Sequence, residues 1–132
     1  MYLLDTKALA DLVCRPRGPV RRRMGLVGVE RLATSVVAAG ELRFGAATRR
    51  SPALTAAIDG ILERLPVLPL EASAAAVYAD IRVDLERAGT PIGVAALWIA
   101  AHARVGGMTL ATANAAEFSR VRGLVVEDWT AA

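Results

Sequence analysis

The chain has 132 residues, of which 55% are hydrophobic, and its mean hydropathy is +0.41. This length accommodates one domain with its own core, and the composition excludes intrinsic disorder. The sequence lacks the roughly 20 consecutive apolar residues of a bilayer span. It also lacks a basic segment before the acid at residue 5, which argues against a signal peptide. We therefore expect a single domain, residues 1–132, located in the cytoplasm and without a membrane partner.

The charge of the chain is basic and comes almost entirely from arginine. The net charge is +3 and the isoelectric point is about 9.7, with fifteen arginines and one lysine. Arginine donates two parallel hydrogen bonds to phosphate, so RNA or DNA is one candidate partner. A GC-rich genome also raises the arginine content, and charge alone leaves both explanations open. The single cysteine, Cys14, excludes an internal disulfide and the usual zinc clusters.

The first half of the chain alternates short apolar segments with helical ones. Residues 2–5 are predicted to form a buried strand, and a helix follows over residues 7–14. The segment Arg15-Pro-Arg-Gly-Pro19 breaks that helix. The next predictions, in order, are a basic helix over 20–29, a strand over 32–37 and helices over 38–49 and 55–65.

The second half continues the same alternation. A short strand is predicted over 67–70. The apolar residues of the next segment recur at helical spacing, which predicts an amphipathic helix over 71–88. Residues 94–104 are apolar on all sides, which predicts a buried helix. The remaining predictions are a strand over 108–112, a short helix over 115–120 and a last strand over 124–126.

Strands that alternate with helices favour parallel pairing through right-handed crossovers. We therefore predict an α/β fold: a doubly wound, five-stranded, mainly parallel sheet with helices on both faces. In such a sheet, side chains that follow the carboxyl ends of different strands meet at one crevice. Asp5 and Glu41 each follow an apolar segment, so they suggest a divalent-metal site at that edge.

Short motifs occur in a fixed order over almost the whole chain. They are Leu3-Leu-Asp-Thr6, residues 33–46, Pro66-Val-Leu-Pro-Leu70, Ile81-Arg82, Leu85-Glu86, Gly89-Thr-Pro-Ile-Gly93, Ile99-Ala-Ala-His-Ala103, Thr109-Leu-Ala-Thr-Ala-Asn114, Glu117-Phe-Ser-Arg-Val121 and Glu127-Asp-Trp129. In this order and spacing the chain resembles the PIN-domain family, and within it the VapC toxins of type II toxin–antitoxin operons.

The resemblance implies an endoribonuclease that uses Mg²⁺ or Mn²⁺ held by acidic side chains. Such cations prefer oxygen ligands, and they activate water and stabilise charge on phosphate oxygens. The implied substrate is structured RNA of the tRNA or rRNA class. The implied partners are a VapB-like antitoxin and a second copy of the chain, and operator DNA would be bound only through the antitoxin.

Three residues match the acidic positions of the family. Asp5 matches the first acid, Glu41 the second, and Asn114 the fourth. Each also has a simpler interpretation: Asp5 as the N-cap of the next helix, Glu41 as a solvated helix residue, and Asn114 as an N-cap that forms a capping box with Glu117.

Ala96 stands where the family has its third acid, an aspartate. A methyl group cannot coordinate a cation, so the resemblance implies that catalysis is crippled in this chain. The sequence leaves open whether the alanine is natural or engineered. The alternative function is a non-catalytic PIN-fold module that binds the antitoxin and regulates its operon.

Polar residues near these positions complete the predicted site. We expect Thr6, Ser35 and Thr112 to hydrogen-bond the acids or a bound water molecule. Lys7 replaces the usual Asn or Ser of the family, and its ammonium either is simply solvated or partly replaces the charge of the metal. The arginines at 21, 22 and 23 form either a solvated helix face or a contact for RNA phosphate or the antitoxin.

The remaining unusual residues are interpreted as packing residues. His102 is expected to be a hydrogen-bonded core or interface histidine, and Cys14 a small buried hydrophobic residue. Trp98 and Trp129 are expected to pack, with Trp98 also a candidate for a dimer contact. A phosphoacceptor receiver domain shares the architecture, but no aspartate follows the mid-chain strand at 67–70.

Overall fold

The computed structural model describes residues 1–131, and its centre is one parallel sheet. The strands are β1 (Tyr2–Leu4), β2 (Leu32–Ser35), β3 (Val67–Leu68), β4 (Thr109–Thr112) and β5 (Val126–Asp128). They lie in the order β3-β2-β1-β4-β5, and each neighbouring pair is parallel. The order reverses at β1, so the crevice expected at a topological switch point lies beyond its carboxyl end.

Seven α-helices connect and flank the strands within the described residues. They are α1 (Thr6–Cys14), α2 (Pro19–Val27), α3 (Val36–Arg49), α4 (Pro52–Arg64), α5 (Ala74–Arg87), α6 (Val94–Val105) and α7 (Ala115–Phe118), with a 3-10 turn at Val29–Arg31. The predicted fold class is confirmed, and the sheet is parallel throughout. Across residues 1–131, every helix is too short or too polar to cross a bilayer.

The two central strands form the centre of the core. Leu3 and Leu4 of β1 and Leu110 and Ala111 of β4 are fully buried. Successive residues of these strands point to opposite faces, and both faces are covered, which explains why their sequences are continuously apolar. Trp129 follows β5, is fully buried, and lies with its ring centroid 5.4 Å from that of Tyr2.

Three predicted strands had wrong bounds. The strand predicted over 67–70 is only Val67–Leu68, and the other two differences have a local cause. The second strand ends at Ser35, not at residue 37, because the Ser35 hydroxyl accepts the N–H of Val37 and starts α3. The last strand is Val126–Asp128, not 124–126, because its register with β4 pairs Leu110 with Val126 and Thr112 with Asp128. The apolar residues indicated a strand near residue 125, but the pairing with β4 determines which residues form it.

The packing predictions had mixed outcomes. His102 is buried on α6 with its Nδ1 atom 2.9 Å from Ser35 Oγ, as expected of a hydrogen-bonded core histidine, and burial lowers the pKa of its ring. Trp98 is half-buried and stacks on Tyr78 at 3.9 Å between centroids. The prediction for Cys14 was wrong: it is exposed, because it ends α1 outside the buried face of that helix.

The core can be tested with one chemical change made at two positions. Leu110 is fully buried, whereas Leu26 on α2 is 83% exposed. Leu110→Ala should lower the free energy of unfolding by about 3 kcal/mol, because it removes buried methyl groups and leaves a cavity. Leu26→Ala should change it by less than about 0.5 kcal/mol. Urea unfolding measures both values, and equal losses would contradict the described core.

Candidate strand-end acidic site

Asp5 follows β1 directly and lies at the switch point of the sheet. Its Oδ1 atom accepts the backbone N–H of Ala8 at 2.8 Å, which makes Asp5 the N-cap of α1. Its Oδ2 atom accepts the hydroxyl of Thr112 at 2.5 Å, from the end of β4. The capping interpretation and the site interpretation of Asp5 are therefore compatible, and the predicted contact between Thr112 and an acid is confirmed.

The backbone around Asp5 is held by its neighbours on both sides. The Asp5 N–H donates to the carbonyl of Ala111 at 3.0 Å. On the other side, the buried hydroxyl of Thr34 donates to the carbonyl of Leu4 at 2.7 Å. These contacts from β4 and β2 fix the direction in which the carboxylate leaves the sheet.

The environment of Asp5 disfavours its charge. Burial is the largest cause and raises the pKa of the carboxyl group to about 6, although the hydrogen bonds from Thr112 and Ala8 and the charge of Lys7 act in the opposite direction. The negative charge of Glu117 raises the pKa further. Asp5 is only 2% exposed, so a nearby cation would stabilise its ionised form.

Glu117 is the residue that the sequence interpretation did not assign to the site. It lies on α7, where its Oε2 atom accepts Nδ2 of Asn114 at 2.9 Å and lies 4.0 Å from Nζ of Lys7. Its influence on the pKa of Asp5 places its charge near that carboxylate. An acid in the apolar helix Ala115–Phe118, directly after a strand end, was the available signal.

The capping box predicted at Asn114 was wrong. The side chain of Asn114 accepts no cap hydrogen bond from the backbone of α7, and its Nδ2 atom donates to the side chain of Glu117. The backbone N–H of Asn114 donates to the Thr112 hydroxyl at 2.9 Å. One threonine hydroxyl thus connects Asp5 with Asn114, and Asn114 connects onward to Glu117.

An open crevice of about 500 Å³ lies between the start of α6 and α7. It is lined by Pro91, Ile92, Gly93, Asn114, Ala116, Glu117 and Arg120. Ala96 is the third residue of α6, half-buried against the core, and Gly93 provides no side-chain cap for that helix. The first turn of α6 therefore has neither an acid nor a capping side chain.

The structure leaves other predicted site residues outside this network. Glu41 is exposed on the second turn of α3, without a side-chain hydrogen bond or ion pair to residues 1–131. Ser35 contacts His102 and Val37 instead of an acid. The hydroxyl of Thr6 is buried and has no hydrogen-bond partner within the described part of the chain.

Comparison with known proteins shows which family the chain belongs to. The PIN domain family matches residues 2–124. The tRNA(fMet)-specific endonuclease VapC of Shigella flexneri is 36% identical over 130 residues, which cover 98% of both chains. The enzyme of the same name from Salmonella typhimurium is 33% identical over 129 residues, which cover 97% of both. The chain belongs to the VapC-type PIN-domain family.

Solved structures support the same family assignment. A chain of the VapBC2 complex of Rickettsia felis, solved bound to a DNA fragment from its promoter, superimposes with a TM-score of 0.89 at 28% identity. That match covers 97% of this PIN domain and 98% of the other chain. DNA-bound VapBC from Salmonella typhimurium gives a TM-score of 0.88 at 34% identity and covers 97% of both.

The residues of this PIN domain do not fit a firmly held divalent cation. The available donors are of the right kind, because Mg²⁺ and Mn²⁺ take carboxylate and amide oxygens. However, Ala96 has no donor atom, and the ammonium of Lys7 lies beside Glu117. Within residues 1–131, no three His, Cys, Asp or Glu side chains are grouped so that they could hold a metal ion.

A second surface of this PIN domain includes one of the arginines for which contact with RNA or the antitoxin was considered. Arg21 lines a mainly apolar groove of about 500 Å³ that lies between α1, α2 and α4. Arg22 is exposed, and Arg23 lies 3.8 Å from Glu127. Whether these arginines contact RNA or an antitoxin stays a prediction.

The charge of Asp5 should make stability depend on pH in a defined direction. Between pH 4 and 6 the folded state keeps a proton that the unfolded state has lost, because the folded pKa of about 6 exceeds the ordinary value of 3.8. Stability should therefore fall as the pH rises through this window. Asp5→Asn removes the titrating group, so the free energy of unfolding of the variant relative to the parent chain should be about 2–3 kcal/mol higher at pH 7.5 than at pH 4.

The measurement is urea unfolding of Asp5→Asn and the parent chain at pH 4 and at pH 7.5. The matched control is Glu63→Gln, which neutralises an exposed carboxylate on α4 and should leave stability within about 0.5 kcal/mol at both pH values. An Asp5→Asn variant that gains nothing at pH 7.5 over pH 4 would contradict the unfavourable charge of Asp5.

Proposed function

We propose that this chain is the toxin component of a type II toxin–antitoxin pair, built on an endoribonuclease fold and bound by a VapB-like antitoxin. The observation that carries the proposal is the near full-length match to relatives named tRNA(fMet)-specific endonuclease VapC. The structural neighbours from Rickettsia felis and Salmonella typhimurium are VapBC complexes, which supports the antitoxin partner. A cytoplasmic location and a homodimer are parts of the same proposal.

The proposed substrate is RNA of the tRNA or rRNA class, and the proposed parent reaction is hydrolysis of a phosphodiester. The ionised carboxylate of Asp5 is a fixed acceptor that can orient an attacking water molecule, because Ala8 and Thr112 hold both of its oxygens. Arg120 at the crevice provides a donor for phosphate oxygens. Asn114 holds Glu117 in place beside them.

In this chain we propose that the activity is impaired, with Mg²⁺ or Mn²⁺ binding weakened. By the family pattern the metal-ligating acids are Asp5 and Glu41, of which Glu41 lies exposed outside the hydrogen-bond network of Asp5, and Ala96 removes a third acid. Removal of a ligand from a metal-dependent site costs orders of magnitude in rate, because water activation and charge stabilisation both depend on the ion. We therefore propose that this chain has a nuclease fold with weak catalytic activity.

Ala96→Asp tests the proposed impairment directly. The variant should cleave tRNA at least 100-fold faster than the parent chain in the presence of Mg²⁺, and EDTA should abolish the gain. The cleavage assay should be accompanied by a melting curve, because an acid in the first turn of a helix also stabilises it through the helix dipole.

Ala95→Asp is the matched control for this experiment. It places the same charge in the same turn of α6, so it gives a comparable dipole effect but directs the carboxylate elsewhere. The control should remain inactive. Equal activity of the two variants, or none in either at full RNA and Mg²⁺ concentration, would refute the claim that the missing acid at position 96 limits catalysis.

A non-catalytic module that binds the antitoxin is the second candidate function. The observations that favour it are the missing donor at Ala96 and the lysine beside Glu117, because both weaken a metal site without touching the rest of the fold. The two functions differ in the Ala96→Asp experiment. Recovery of metal-dependent cleavage identifies a disabled enzyme, whereas an inactive variant that still binds its antitoxin identifies a binding module.

The groove between α1, α2 and α4 is suited to the antitoxin. Its apolar lining includes Leu12, Met24, Ile61 and Leu65, and Arg21 and Arg64 also line it. An amphipathic segment with acidic residues beside its apolar face would match both features of this lining. This surface is separate from the acidic crevice, so antitoxin binding can survive the loss of catalysis.

Gly60→Leu tests this assignment by filling the groove. A Cβ atom at Gly60 meets no atom within 4 Å, and Gly60 is one of the residues that line the groove. The variant should weaken binding of the protein encoded next to this chain's gene at least tenfold. It should not lose stability, because leucine is a better helix former than glycine.

The matched control is Gly45→Leu on α3, where a side chain also meets open space. It should bind the partner as the parent chain does. Co-purification and calorimetry measure both variants. Unchanged binding by Gly60→Leu would place the partner on another surface.

A further inference from the structure

We propose that Lys7 is a built-in counter-cation of the strand-end acids and itself opposes the binding of a divalent metal ion. The inference deepens the proposed function, since it concerns the same crevice. It adds a second cause to the loss of metal affinity, separate from the missing carboxylate at Ala96. It also predicts that restoring that carboxylate alone recovers only part of the affinity.

The position of Lys7 in α1 is the first argument. Lys7 is the second residue of the helix, directly after Asp5 and Thr6. The N-terminus of a helix has positive partial charge, so a lysine there is unfavourable unless an acid compensates it. Glu117 on α7 is the nearby acid, with its Oε2 atom 4.0 Å from Nζ of Lys7.

The charges around the crevice are the second argument. Asp5 and Glu117 contribute two negative charges, and Lys7 cancels one of them. The charge of Lys7 also lowers the pKa of Asp5, in opposition to burial and Glu117. The ammonium therefore acts on both carboxylates, although it reaches only Glu117 within ion-pair distance.

The attraction of a carboxylate site for a hard cation grows with its number of negative charges. Ala96→Asp would add one negative charge, and Lys7→Asn would remove one positive charge. The two changes together shift the local charge by two units in the direction that favours Mg²⁺ and Mn²⁺. Lysine cannot act as a metal ligand in its charged form, so its effect is repulsion alone.

An ordinary solvated lysine is the alternative. The side chain of Lys7 is 59% exposed, and an exposed ion pair of this length contributes little to stability. A solvated lysine would not alter metal affinity more than any other surface cation does. The two interpretations therefore differ in metal binding and not in folding.

The experiment is calorimetric titration of the full chain with Mn²⁺ and then with Mg²⁺. Four proteins are compared: the parent chain, Lys7→Asn, Ala96→Asp and the double variant. The parent chain should show no saturable binding at millimolar metal. In the Ala96→Asp background, Lys7→Asn should lower the Mn²⁺ dissociation constant by about tenfold, the order expected for removing a unit charge a few ångströms from a divalent ion.

Two control variants in the Ala96→Asp background isolate the cause. Lys7→Arg keeps the charge at the same position, and Arg122→Gln removes an equal charge from an 86% exposed side chain paired with Asp84. Both should stay within about twofold of Ala96→Asp, since neither removes charge from the crevice. Lys7→Gln repeats the neutralisation with a longer side chain and should match Lys7→Asn.

Three results would overturn the inference. One is a gain from Lys7→Asn no larger than that from Arg122→Gln, and another is an absence of Mn²⁺ binding in the double variant. Tight stoichiometric binding by the parent chain would also contradict it. Metal binding by the double variant without RNA cleavage would leave the role of Lys7 intact and refute only the proposed nuclease activity.

Discussion

The carboxylate of Asp5 accepts one hydrogen bond from α1 and one from β4, and this double acceptance joins three parts of the fold. It starts α1 through Ala8, and it holds the end of β4 through Thr112. The Thr112 hydroxyl then accepts the N–H of Asn114 and so sets the path of the chain into α7. Both the crevice and the position of Glu117 depend on this one side chain.

This dependence gives Asp5 a structural role that is separate from any metal binding. Asp5 is the N-cap of α1 and the hydrogen-bond partner of Thr112, and neither role requires a cation. The charged form of Asp5 is unfavourable in the fold, because burial raises the pKa of the carboxyl group to about 6. The hydrogen bonds of Asp5 thus offset part of the unfavourable charge without help from a metal ion.

The sequence was sufficient to predict a five-stranded, mainly parallel sheet and the position of Asp5 at a strand end, because apolar periodicity and the strand–helix alternation indicate both. It did not give the strand order. It was not sufficient for the contacts of Asn114 and Glu117. A capping box and a side-chain pair have the same three-residue spacing, so the spacing alone does not distinguish them. Cys14 was misplaced for a similar reason, since one position at the end of a helix separates buried from exposed.

The two helices that carry positions 41 and 96 are connected through a single hydroxyl. Ser35 caps α3 by accepting the N–H of Val37, and it also contacts the buried ring of His102 on α6. Neither helix can slide along the sheet without disturbing the other. The geometry around positions 41 and 96 is therefore set by the scaffold itself, so an exchange of either side chain can alter the chemistry without rearranging the backbone.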